Sequence, residues 1–122
     1  MLILIAGPYR SGTNDDPVLM AQNLACLERA ALDVYEAGHV PGIGEWIALP
    51  IMRLKGSRKV GDRIYEQFAY PVAHRLLALC DAVLRIEGVS KGADEDVRRA
   101  LELGKRVYRS VSELPAPMPS YM

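Results

Sequence analysis

The sequence predicts an α/β fold, a single domain built on a parallel sheet of four to five strands flanked by helices. Three observations carry that expectation. Short, continuous apolar runs, of the kind shown by strands covered on both faces, alternate with longer segments of helical periodicity. Each helical segment lies between two such runs, as crossovers joining parallel strands must. The 122 residues suffice for one sizeable core but not for two.

Leu2-Ile3-Leu4-Ile5-Ala6 is the first expected strand, ended by Gly7-Pro8. Asp16 before Pro17 marks a helix start, because the carboxylate can take free amide hydrogens and proline fits the first helical position. Leu24, Leu27, Ala31 and Val34 then recur at helical spacing, and Gly38 supplies the stop, so the helix runs from about Pro17 to Ala37. His39 to Ile43 is a second strand, weakened by Pro41, that leads into a Gly42-Ile43-Gly44-Glu45-Trp46 turn. Residues 47–62 start apolar and turn basic around Gly56 and Gly61, which reads as an excursion or lid. Arg63 to Cys80 carries apolar residues at helical spacing, although Pro71 should kink or interrupt it. Ala82 to Ile86 is the next strand, Ala93 to Leu103 a helix closed by Gly104, and Arg106 to Ser110 the last strand. The domain is expected to span residues 1–114, with residues 115–122 as a proline-rich tail.

Bulk properties narrow the partners. Fifteen basic residues against 15 acidic ones leave no global field to attract polymeric nucleic acid or an acidic membrane, so any anion must be held locally. The apolar start, Met1 to Ala6, is far too short for a signal-peptide core or a membrane span, and a cytoplasmic protein is expected. Cys26 and Cys80 have apolar neighbours in helical patterns and no metal-ligand or CxxC spacing, which predicts two buried free thiols. No metal site or cofactor is expected.

Chemistry is expected in two loops, because ligands of such sheets collect beyond the carboxyl ends of strands. The first, Gly7-Pro8-Tyr9-Arg10-Ser11-Gly12, combines small residues that let amides approach a ligand with an arginine and a serine suited to phosphate or hydroxyls. Its plain alternative is a tight strand-to-loop turn. The second, Glu87 to Gly92, opens a helix beginning Ala93-Asp94-Glu95-Asp96. Asp94 and Glu95 fit a helix start on dipole grounds alone. Asp96, one turn in from Gly92, can face the pocket, where a carboxylate suits sugar hydroxyls or a sugar carbon gaining positive charge as a glycosidic bond breaks.

Together the pieces ILIAGPYRSG at 3–12, Cys80-Asp81, AVLRIEG at 82–88, SKGADED at 90–96 and ALELGKRV at 100–107 resemble the nucleoside 2-deoxyribosyltransferase superfamily. The pattern is nearest to its deoxyribonucleoside 5′-monophosphate N-glycosidase branch and to small bacterial and phage proteins with a Ser-Lys-Gly-Ala signature. The resemblance implies a flavodoxin-like sheet and cleavage or transfer at the N-glycosidic bond of a nucleoside or nucleotide. It makes Asp96 the nucleophile, gives the sugar and any 5′-phosphate to residues 7–12, and has Ser90, beside Gly92, assist phosphate binding. It also implies a homodimer or higher homo-oligomer.

Two positions depart from the family pattern. The family has glutamate where this chain has Asp96, whose shorter side chain falls about 1 Å or more short of a carbon placed for glutamate. An orienting aspartate of the family falls at Ala73, beside His74. The alternative expectation is therefore a non-catalytic nucleotide- or ribosyl-binding module. Tyr9 and Arg10 are candidates to stack on a base and grip a phosphate, and Glu45 and Trp46 to line the base pocket, although Trp46 serves equally well as a cap on the core. Arg53, Lys55, Arg58 and Lys59 read as a solvated charge cluster.

Overall fold

A computed structural model describes residues 1–117. Strand β1 (Leu2–Ala6) is followed by helix α1 (Pro17–Glu36), strand β2 (Val40–Gly42), helices α2 (Gly44–Leu54) and α3 (Arg63–Leu79), and strand β3 (Ala82–Arg85). Helix α4 (Lys91–Glu102), strand β4 (Arg106–Tyr108) and a short 3-10 turn (Val111–Glu113) complete it. The four strands form one parallel sheet in the order β2-β1-β3-β4, with Ile3 between Pro41 on one side and Ala82 on the other.

This is the expected α/β architecture, and β1 shows why it forms. Ile3 and Ile5 point into a core with Leu27, Ala31 and Val34 of α1, while Leu4 and Ala6 point to the other face, with Leu77 of α3 and Ala93 and Ala100 of α4. Successive strand residues face opposite sides, so a strand covered on both needs an unbroken apolar run. Each such Leu or Ile removed from water contributes about 1.5–3 kcal/mol. Pro41, which has no N–H for a ladder, is accommodated because β2 is an edge strand. α1 starts as expected, Asp16 accepting a hydrogen bond of 2.9 Å from the Val18 N–H with Pro17 in the first position.

Several local expectations are corrected. The turn and excursion assigned to residues 42–62 contain α2, which passes through Pro50 and buries Ala48 and Met52. α3 continues through Pro71 without interruption; Pro71 and Gln67 are both exposed, so water can solvate the Gln67 carbonyl that proline leaves unbonded. α4 begins at Lys91, two residues earlier than expected, because Ser90 caps it by accepting a bond of 3.1 Å from the Ala93 N–H. Cys80 is buried but Cys26 is exposed, one position off the α1 stripe of Leu27, Ala31 and Val34. Of the predicted tail, residues 118–122 lie outside the described residues. Among those described, no helix is long and apolar enough to cross a membrane.

Candidate active site

β1 leads through α1 to β2 on one side of it, while β3 lies on the other. The carboxyl ends of β1 and β3 therefore flank the place where the strand order reverses, and a cavity of about 400 Å³ opens there. Besides Leu4, Ile5 and Ala6 of β1, four segments wall it. The loop after β1 contributes Gly7, Tyr9, Arg10 and Ser11; α2 contributes Glu45, Ala48, Leu49 and Met52; α3 contributes Tyr65, Glu66, Ala69, Tyr70 and Ala73; the start of α4 contributes Ser90, Lys91, Gly92, Ala93 and Asp96.

The loop wall is held from several sides. Gly7 passes so close to β3 that a Cβ there would stand 2.3 Å from Ile86 Cγ1. The Tyr9 carbonyl accepts a bond of 2.8 Å from Asn23 of α1, and buried Thr13 donates from its hydroxyl to the Arg10 carbonyl at 2.6 Å. Arg10 does not reach freely into the cavity. Its Nε lies 2.6 Å from Asp15 and its Nη1 2.8 Å from Glu66, with the guanidinium over the Tyr65 ring, 5.6 Å from the centroid. Both carboxylates push the guanidinium pKa up, so the charge is fully paired. Asn14 and Asp15 take left-handed backbone angles, φ 53° and 60°, that bring the Asp15 side chain back to Arg10. Asn and Asp tolerate that region better than other residues with a side chain.

The opposite walls hold charge without partners. Neither Asp96 nor Glu45 pairs with another side chain among the described residues, by ion pair or by hydrogen bond. Burial pushes the Asp96 carboxyl up to about 7, helped by the negative charge of Glu45 and then of Glu95, against weaker pulls from Arg99 and Arg85. Burial also raises Glu45, while the amide at the start of α2 pulls it down. The Glu45 charge reaches the phenols as well: Tyr65 rises to about 12, chiefly by burial and then by Glu45, and Tyr9 rises for the same two reasons in the same order.

The fold thus gathers Gly7, Tyr9, Arg10, Ser11, Glu45, Ser90, Gly92 and Asp96 around one cavity. Two of the expected binding residues stand elsewhere. Gly12, at φ 73°, does not line the cavity. Trp46 is 42% exposed and donates its indole N–H to Glu28 at 2.8 Å, so it neither lines the pocket nor caps the core. Neighbouring helical residues point about 100° apart, and with Glu45 facing the cavity Trp46 cannot. Glu95 pairs with Arg98, and Asp94 with buried Arg85 at 3.0 Å, which leaves Asp96 as the acid of that run on the cavity. Arg58 and Lys59 lie on a neighbouring depression, where the Asp62 carboxylate, held down to about 2 by the Tyr65 and Arg58 amides, organises the turn. His74 sits beside Tyr70, ring centroids 6.1 Å apart, outside the cavity.

Sequence reasoning missed Tyr65, Tyr70, Leu49 and Met52. The signal for the α3 face was present as Tyr65, Ala69 and Ala73 at intervals of four, small residues leaving room beneath a phenol.

With this geometry in view, comparison with solved structures finds a 2-deoxyribosyltransferase from the psychrotolerant bacterium Bacillus psychrosaccharolyticus. The two superpose with a TM-score of 0.62 over 88% of this chain and 69% of that one, at 17% identity. The chain shares that enzyme's fold. No protein-family model matches the chain, and neither does any curated protein. That transferase was studied as a biocatalyst for the synthesis of nucleosides.

Proposed function

We propose that the cavity binds a nucleoside or a related ribosyl compound and that Asp96 attacks at the anomeric carbon, cleaving or transferring the N-glycosidic bond. The observation that carries this reading is Asp96 itself, a carboxylate without a partner in a cavity at the strand reversal of a transferase-like sheet. A side chain of this kind, poorly solvated and in no ion pair, gains most when positive charge develops on a sugar carbon next to it. The apolar α2 and α3 walls, with Leu49, Met52 and Ala69, suit the faces of a base, and Ser11 and Ser90 suit sugar hydroxyls.

Attack requires the ionised carboxylate. With its carboxyl near 7, Asp96 is largely protonated at pH 5.5 and largely ionised at pH 8.5, so ionisation of the nucleophile makes turnover rise with pH on the acid side of the profile. The test is release of free base from a panel of nucleosides and nucleoside 5′-monophosphates, followed by chromatography with Asp96→Asn as control. Release by the native protein and not by the variant is expected. No release, or equal release by both proteins, would sink the proposal.

Ala73 favours a second reading. Its methyl group lines the cavity at the place where the resembled family carries a carboxylate. On that reading the domain binds nucleosides or nucleotides without turning them over. Thermal shifts with nucleosides in the absence of any base release would establish it.

A further inference from the structure

An N-glycosidic bond does not break easily unless the departing base takes a proton as it takes the bonding electrons, so nucleophilic attack by Asp96 leaves half of the chemistry unassigned. Glu66, one of the three carboxylates on the cavity wall, is spent on Arg10. Glu45 and Asp96 remain, on different helices and on different walls of the same cavity, each without an ion pair or hydrogen bond to another side chain among the described residues. A substrate lying against the loop after β1 has one carboxyl group on its α4 side and another on its α2 side.

We propose that Glu45 is the proton donor to the leaving base and, in the second half of the reaction, the proton acceptor from water. The inference rests on the reading of Asp96 as nucleophile. In the first step an Asp96 oxygen bonds to the anomeric carbon and the carbon–nitrogen bond breaks. Its electron pair passes to the base nitrogen, and the Glu45 carboxyl protonates the base, which leaves neutral. In the second step water adds to the anomeric carbon, Glu45 takes its proton, and Asp96 departs as carboxylate. A sugar acceptor other than water, such as a second base, would make the same step a transfer.

The charges around the pair suit one shared proton. Asp96 feels Glu45 across the cavity, Glu95 and Arg99 on its own helix, and Arg85 from β3; Glu45 acts in turn on Tyr9 and Tyr65. The Glu45 charge raises the proton affinity of Asp96, so the pair loses its protons in separated steps that belong to both groups, and the form active in turnover is the one that carries the proton on Glu45 and the charge on Asp96. Turnover then follows a bell in pH rather than a plateau.

Leaving-group dependence tests the assignment. A 7-methylated purine nucleoside already carries the positive charge that makes its base leave without a proton, so it bypasses an acid but not a nucleophile. Glu45→Gln is expected to lose about 10²-fold or more in kcat on the unmethylated purine nucleoside and only a few-fold on the methylated one. Asp96→Asn loses both, and Glu45→Asp recovers part of the unmethylated activity. Equal losses of Glu45→Gln on the two substrates, or no loss on either, overturn the role of Glu45 while leaving that of Asp96 intact. Absence of turnover by the native protein overturns both. A carbon-13 titration of the Asp96 carboxyl in the ligand-free protein gives a check independent of activity. It must move to lower pH in Glu45→Gln, and an unmoved titration contradicts the coupling.

Discussion

The loop after β1 and the α2 and α4 walls face the same cavity, yet they treat charge in opposite ways. Arg10 is tied to Asp15 and Glu66 and lies over Tyr65, so its charge is spent within the protein. Asp96 and Glu45 have no such partners, and burial holds both away from their ordinary ionisation. Paired charges stabilise a shape, whereas unpaired buried carboxyls cost stability and are retained where chemistry needs them. On the proposed reading, the first wall is a frame and the others carry the reactive groups.

The largest effect that can break this contrast is catalytic. Asp96→Asn is expected to lower kcat for base release by about 10³-fold or more, measured at pH 8 where the native carboxylate is ionised. Arg10→Lys, which keeps a charge on the frame, is expected to retain turnover within about tenfold. A larger loss for Arg10→Lys than for Asp96→Asn would reverse the two walls.

Stability gives the second effect, with the opposite sign. The Asp96 carboxyl is raised from 3.8 to about 7, so its stabilising share is fully present below pH 3.8 and is lost as pH rises through about 7. Asp96→Asn avoids that loss. Denaturant unfolding at pH 8 is expected to find the variant about 1–4 kcal/mol more stable than the native protein, with the gap closing toward pH 4. A variant less stable at pH 8 would mean that Asp96 is structural.

Much of this could be read from the chain, because the signals are local. The apolar run of β1, the Asp16-Pro17 start of α1 and the SKGADED opening of α4 each define an element within a few residues. α2 was hidden because Gly44, at its start, was read into a turn and because Pro50 stands in its interior, where proline is unfavourable to a helix. Its helix survives through tertiary contact, with Ala48 and Met52 buried, and no local rule weighs that. The pairing of Arg10 with Glu66, 56 positions away, was hidden for the same reason, and it turned an expected phosphate grip into a brace. Glu45 and Trp46 were indistinguishable while their element was read as a turn, and only a helix separates their directions.

A third effect lies in the frame. Gly61 has φ 91°, and a Cβ there would stand 2.5 Å from Arg10 Nη2, so Gly61→Ala is expected to cost about 1–3 kcal/mol and lower Tm accordingly. The smallest effect tests the same brace from its other end. Glu66→Gln removes one arm of a partly exposed ion pair and is expected to cost less than about 1 kcal/mol, with the difference shrinking in high salt.

The most direct measurement is chemical trapping. A nucleoside bearing fluorine at C2′ slows both steps by disfavouring positive charge on the sugar, and a covalent sugar ester can then accumulate. Intact-mass analysis followed by peptide mapping is expected to place one fluorinated sugar on Asp96, with release of one equivalent of base and no adduct in Asp96→Asn. Base release with no modification of Asp96, or an adduct that persists in Asp96→Asn, would contradict the account.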